Sequence, residues 1–335
     1  MTQPRSALVS LDATPWYHVV SRCVRRAYLC GVDRDTGRSF EHRRGWIVER
    51  LQQLAAVCAI DVAAYAVMSN HVHVVVRVNA DRARAWGRNE VLRRWTQLFT
   101  GPELVQRYRA HPEGLCAAEL ARVDLWVTTY RERLMDLSWF MRVLNEPIAR
   151  QANAGDGVTG RFWEGRFKSQ ALLDEQAVLT AMAYLDLNPI RAEMAETPES
   201  SDCSSVAERI AGLREEPDAT ASSPGGRVPL MPFDATGRMA AAIPFAFDDY
   251  LELVDATDRV IRGDKCDFIP GHTPILLERL AIDPEQFIAT ASRMLREFGS
   301  AIGTPTNITD LCAARQMRYL RGMGAARALF ERRAA

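Results

Sequence analysis

Three short stretches of this 335-residue chain hold residue types whose spacing could do chemistry. The first is His71-Val72-His73. On a β-strand, side chains at i and i+2 share one face about 7 Å apart, so two imidazoles there can converge on one metal ion. The competing reading is a pair of solvated surface histidines. The second stretch is Gly160-Arg161-Phe162-Trp163-Glu164-Gly165-Arg166-Phe167-Lys168-Ser169, in which cations alternate with aromatics. Arg161, Arg166 and Lys168 could meet phosphates, while Phe162, Trp163 and Phe167 could stack on bases. The same alternation fits an amphipathic strand with its rings in the core, and spacing alone does not choose between them. The third stretch runs from Met182 to Ala192 and contains Tyr184 and Asn188. Four residues apart, these two share a helix face about 6 Å apart along the axis. A tyrosine near a helix end is ordinarily a packing residue.

The elements that must position these residues are readable from periodicity. Trp16 to Val24 is β-branched and aromatic, as a strand should be. From Phe40 to Cys58, Trp46, Ile47, Leu51, Leu54 and Val57 recur at helical steps. Ile60–Met68 and His71–Val78 are β-rich runs separated by Ser69-Asn70, which predicts a tight hairpin opening directly onto the histidine pair. Residues 80–135 read as helical, and a longer helix is expected over Leu134 to Asn153, kinked or interrupted at Pro147. Gly160–Leu173 is extended in character, and Asp174 is expected to N-cap a helix that carries Tyr184 and stops before Asn188-Pro189. Residues 196–232 are rich in Ser, Pro, Glu and Gly and read as a linker. Residues 233–335 read as a helical C-terminal domain. Strand, helix, hairpin, helices, strand, helix is the order of an α+β domain with a small antiparallel sheet.

Composition narrows the possibilities. The chain is 47% hydrophobic and 25% charged, which disfavours disorder, and it has no apolar run long enough to span a membrane. The N-terminus lacks the basic-then-apolar layout of a secretory leader, so the cytoplasm, with the nucleoid, is the expected location. Seven cysteines without a CxxC pair argue against a disulfide framework or a cysteine zinc site. The net charge is zero, yet residues 1–100 carry 15 Arg and no Lys against 8 Asp and Glu, a surplus of 7. A local basic face, to which Arg22 belongs, is the footprint of phosphate binding. No GxxxxGK[ST] phosphate loop is present.

Taken together and in this order, "YHVVSR" at 17–22, "YAVMSNHVHVVVRV" at 65–78, "GRFWEGRFKS" at 160–169 and "AYLDLNPIRA" at 183–192 resemble the HUH-superfamily single-tyrosine transposases. The likeness is to the REP-associated tyrosine transposases and their insertion-sequence relatives. It covers roughly residues 15–195, with 80–135 as an added helical segment. The resemblance implies a catalytic domain over 1–195 with a ferredoxin-like or RRM-like antiparallel sheet flanked by helices. It implies that His71 and His73 hold a divalent metal, Mg2+ or Mn2+, with Asn188 completing or orienting that site. It also implies that Tyr184 is the nucleophile that forms a 5′-phosphotyrosine, and that the partner is single-stranded DNA with imperfect hairpins. Arg22, Arg161, Phe162, Trp163, Arg166, Phe167, Lys168 and Arg191 are then the expected DNA-binding residues. The alternative is a domesticated, non-catalytic protein that binds DNA hairpins as a regulator or chromosome-organising factor. Monomer and homodimer both remain open.

Overall fold

The computed structural model describes residues 8–24, 28–33, 35–202, 204–214, 229–261 and 273–331. In chain order its first elements are β1 (Trp16–Arg22), α1 (His42–Val57), β2 (Ile60–Val67) and β3 (His71–Val78). Four helices follow: α2 (Ala80–Ala85), α3 (Arg88–Trp95), α4 (Glu103–Ala110) and α5 (Ala117–Leu134). Then come α6 (Leu137–Asp156), β4 (Lys168–Leu172), α7 (Glu175–Asp186), α8 (Asn188–Arg191) and α9 (Ser205–Arg214). The last elements are α10 (Phe247–Ile261), α11 (Ile275–Arg279), α12 (Pro284–Glu297), β5 (Ala301–Ile302), α13 (Pro305–Ala314) and α14 (Met323–Phe330).

The class is α+β, with a five-stranded mixed sheet flanked by helices. Strand order is β2-β3-β1-β4-β5: the first four strands pair antiparallel, in the order of a ferredoxin-like sheet, and β5 adds to β4 in parallel. The hairpin closes as the Ser69-Asn70 spacing predicts, with Met68 N–H donating to His71 O at 2.8 Å. Alternation along β1 sends Tyr17, Val19 and Ser21 to one face and His18, Val20 and Arg22 to the other. On the first face sits α6, whose Asn145 Nδ2 donates to Ser21 Oγ at 2.7 Å, with α1 packed beside it. On the second sits α7, packed against β2, β3 and β4. Among the described residues, no helix is long and apolar enough to cross a membrane.

Of the two outcomes expected at Pro147, interruption does not occur: α6 runs unbroken from Leu137 to Asp156. Proline removes the N–H that the Val143 carbonyl would normally accept from. Arg50 on α1 replaces it, its Nε donating to Val143 O at 3.0 Å. Gly160–Leu173 is strand only over Lys168–Leu172. The linker expected over 196–232 contains α9, and Cys203 and residues 215–228 of it lie outside the described residues. Ser204 forms an isolated bridge to Ala66 at the β2 edge.

Asp174 ties the helix that carries Tyr184 to the C-terminal region. One carboxylate oxygen accepts from Ala177 N at 2.9 Å, capping α7. The other accepts from Thr304 N at 2.7 Å and Asn307 Nδ2 at 2.9 Å at the start of α13. Gly303 must be glycine for this approach, because a Cβ there would come within 2.8 Å of Leu173 Cβ. Asp174→Ala is therefore expected to cost about 2–3 kcal/mol, more than the roughly 1 kcal/mol of an ordinary N-cap loss. Chemical denaturation checks this; a loss within 1 kcal/mol would mean the α13 bonds contribute nothing.

Candidate active site

The two faces of the sheet differ in chemistry. On the α7 side, register sets Arg22 opposite His71, Val20 opposite His73, and His18 opposite Val75 on one flank and Gln170 on the other. Gln170, His18, His73 and His71 thus lie in a diagonal line across β4, β1 and β3. Tyr184 descends onto this line from α7. Its ring centroid is 5.6 Å from that of His73 and 6.1 Å from that of His18, edge-on to both. The rings of His71 and His73 are 4.7 Å apart, and those of His18 and His73 stack at 5.2 Å.

Burial sets the charge state of these imidazoles. His18 and His73 are completely buried. Burial lowers the His18 pKa to about 4, against a bond to Gln170 Oε1 that raises it. His71 is also lowered to about 4, by burial first and then by the charge of Arg22, with His18 and Arg191 behind it. His73 falls well below the ordinary histidine range, through burial first and then His71, His18, Arg191 and Arg22. At neutral pH all three are neutral, and a neutral imidazole keeps a lone pair for a metal. His71 Nδ1 meets Asn70 Oδ1 at 2.7 Å, while His73 Nε2 is buried with no hydrogen-bond partner.

The carboxamide expected to complete or orient a metal site makes one hydrogen bond. Arg191 Nη2 donates to Asn188 Oδ1 at 2.9 Å, and the Arg191 guanidinium lies over the Tyr184 ring, 4.7 Å from its centroid. Asn188 Nδ2 is buried and unpartnered, but an amide nitrogen is no ligand. In this arrangement Asn188 orients Arg191, and its Oδ1 keeps a second lone pair. Among the described residues no three His, Cys, Asp or Glu side chains group as a metal cage. The donor set that fits a divalent ion is the imidazole pair, with the lone pair at His73 Nε2 as the observation in its favour.

Around this centre, Arg22 and Lys168 are exposed on the histidine face, and Arg161 and Arg166 are exposed on the segment leading into β4. Phe162 and Phe167 are not available for stacking; both are buried in the core. The expectation of base stacking gives way at these two positions to the amphipathic reading of the same alternation. The segment runs beside the end of β1, with Val24 N donating to Phe162 O at 2.9 Å and Glu164 N to Arg22 O at 2.8 Å. That pairing turns the phenylalanines inward and the cations outward. Trp163 is half-buried, its Nε1 donating to Asn145 O at 2.8 Å.

Sequence reasoning missed two members of the site, His18 and Gln170, and one support, Asp186. A histidine in an apolar strand was the available signal for His18; which strand it would face was not. Asp186, two residues after Tyr184, is fully buried, and burial raises its carboxyl to about 6 despite the bonds it accepts. Tyr250 Oη donates to one of its oxygens at 2.5 Å and Ser205 Oγ to the other at 2.8 Å. The same Ser205 oxygen accepts from Tyr65 N on β2 at 3.0 Å. The end of α7 is thereby fastened to β2, α9 and α10 together.

No protein-family model and no curated protein sequence matches the chain. Among solved structures, it is similar to that of a REP-associated tyrosine transposase bound to a REP hairpin. Identity is 15%, the match covers 64% of this chain and 91% of that chain, and the TM-score is 0.34. At that score the structural resemblance is distant.

Proposed function

We propose that this chain cleaves and rejoins single-stranded DNA next to imperfect hairpins through a 5′-phosphotyrosine at Tyr184. The observation that carries the reading is the packing of the Tyr184 ring 5.6 Å from a buried His73 whose Nε2 has no partner. In the cleavage step the tyrosine hydroxyl gives up its proton and its oxygen bonds to phosphorus, the bond from phosphorus to the 3′ oxygen breaks, and that oxygen takes up a proton, so protons balance. A second 3′-hydroxyl then attacks the phosphotyrosine and releases the tyrosine. One phosphodiester is exchanged for another through a phosphotyrosine that conserves the bond, so no nucleotide hydrolysis is needed.

A phenol is almost entirely protonated at neutral pH and is a weak nucleophile until phenolate is stabilised or the phosphate is polarised. A divalent ion, Mg2+ or Mn2+, held by His71 and His73 would supply that polarisation as a Lewis acid. The remaining work belongs to the chain's own residues. The Arg191 guanidinium over the Tyr184 ring holds the ring against the sheet. Arg22 and Lys168, exposed on the same face, are suited to flanking phosphates, as are Arg161 and Arg166 beside them. Asn188 fixes the Arg191 fork.

The test is a denaturing gel of the full chain incubated with Mn2+ and an end-labelled oligonucleotide carrying a hairpin and single-stranded flanks. Label should become linked to protein on the single strand and not on blunt duplex of the same sequence. Non-covalent affinity should fall at least tenfold between 50 and 200 mM salt, since the rim contacts are phosphate contacts. Equal affinity for unrelated duplex would contradict the substrate assignment.

A non-catalytic hairpin-binding protein is the second reading, and the bond from Arg191 to Asn188 Oδ1, which competes with an ion for that atom, favours it. On that reading the rim cations bind DNA, and no covalent product forms on any oligonucleotide.

A further inference from the structure

We infer that His18 and Gln170 form a buried relay, anchored on the Gly299 backbone carbonyl, that holds His73 in the tautomer with Nδ1 protonated and Nε2 bare. The inference rests on the reading of His73 as a ligand and adds the residues that make it one.

The chain of hydrogen bonds has one consistent direction. A backbone carbonyl can only accept, so Gln170 Nε2, 2.9 Å from Gly299 O, is the donor there. That fixes the amide, and Gln170 Oε1 is left 2.9 Å from His18 Nδ1. An amide oxygen also only accepts, so the proton of His18 sits on Nδ1. A neutral imidazole has one such proton, and His18 Nε2 is therefore a lone pair. Its neighbour at 2.9 Å is His73 Nδ1, which must carry the proton of that bond. His73 Nε2 is then deprotonated, buried and unpartnered.

The opposite assignment fails at each link. A proton on His73 Nε2 would be a buried donor with nothing to accept it, and it would blunt the atom that has to ligate. His18 would then present a lone pair to Gln170, whose flipped amide would set its oxygen against the Gly299 oxygen. The relay also gives residues 299–302 a role at the site. The Gly299 N–H is itself tied to Arg321 O at 3.1 Å, and a Cβ on Gly299 would lie 3.1 Å from Arg321 Cβ. The C-terminal region holds the carbonyl on which the tautomer depends. His18 and Gln170 are positioning residues: they touch neither DNA nor ion.

The experiment uses the full chain, 15N-labelled, free of metal and DNA, with long-range 1H–15N correlation spectra of its histidines. In the wild type, His18 and His73 should both show protonated Nδ1 and bare Nε2, whereas free neutral histidine in water favours the reverse. Gln170→Leu removes the acceptor, so both residues should shift toward mixed tautomers, and Mn2+ affinity, read by electron paramagnetic resonance, should fall 10- to 100-fold. Gln170→Glu keeps an acceptor toward His18 and should retain the wild-type tautomers. A protonated Nε2 on wild-type His73 overturns the relay, and so does a Gln170→Leu protein with unchanged tautomers and unchanged Mn2+ affinity. If Gln170→Leu does not fold, the wild-type spectrum alone decides. Neither readout involves strand cleavage. A correct tautomer without any phosphotyrosine keeps the relay and removes the proposed function, and the converse keeps the function and removes the relay.

Discussion

Tyr184→Phe is expected to lower DNA strand cleavage by more than about a thousandfold, because it removes the only atom proposed to bond to phosphorus. The substitution deletes one oxygen and retains the ring. The cation–π contact with Arg191 at 4.7 Å and the edge contacts with His18 and His73 persist. Stability should change by less than about 1 kcal/mol, and hairpin affinity by less than about twofold. Single-turnover cleavage beside a binding isotherm separates the two quantities. A variant that loses binding in step with cleavage would mean that Tyr184 is a packing residue, the bland reading of a tyrosine at a helix end.

His71→Ala should remove cleavage to a similar degree while leaving hairpin binding nearly intact. It is a cleaner probe than His73→Ala, because His71 is half-buried and its Nδ1 bonds only its neighbour Asn70. His73→Ala would strip the partner from His18 Nε2 inside the core and should additionally cost about 2 kcal/mol of stability. Chelation should reproduce the His71→Ala phenotype in the wild type, and added Mn2+ should reverse chelation but not the substitution. Cleavage that persists in excess EDTA would remove the metal from the account.

The helix and strand pattern around the site was legible because its signals are local. Ser69-Asn70 between two β-rich runs specifies the hairpin, and Asp174 before an apolar run specifies the α7 cap. His71, His73 and Tyr184 each belong to a short run whose spacing selects a face, but the roles expected of them came from the family resemblance and not from the spacing. His18 and Gln170 were not legible, because their pairing depends on the register among β1, β3 and β4, which no local pattern encodes. That α6 runs on through Pro147 was not legible for a related reason; the donor that replaces its missing N–H comes from Arg50, nearly a hundred residues earlier. Phe162 and Phe167 illustrate a true degeneracy. Alternating cations and rings describe both a base-stacking ribbon and a core-facing one, and only the bonds to Arg22 and Val24 decide which face turns inward. The bond from Arg191 to Asn188, three residues apart, was not legible from the helical spacing of Tyr184 and Asn188.

The most direct test of the account is to find the atom that carries DNA. Full-length protein should be trapped on a hairpin-bearing single strand with Mn2+, digested with nuclease and protease, and the peptides read by tandem mass spectrometry. The account predicts a phosphonucleotide on the Tyr184 oxygen, attached through the 5′ phosphate, and none on Tyr17, Tyr65 or Tyr130. A phosphonucleotide on any other residue, or cleaved strands with no covalent peptide at all, would contradict it.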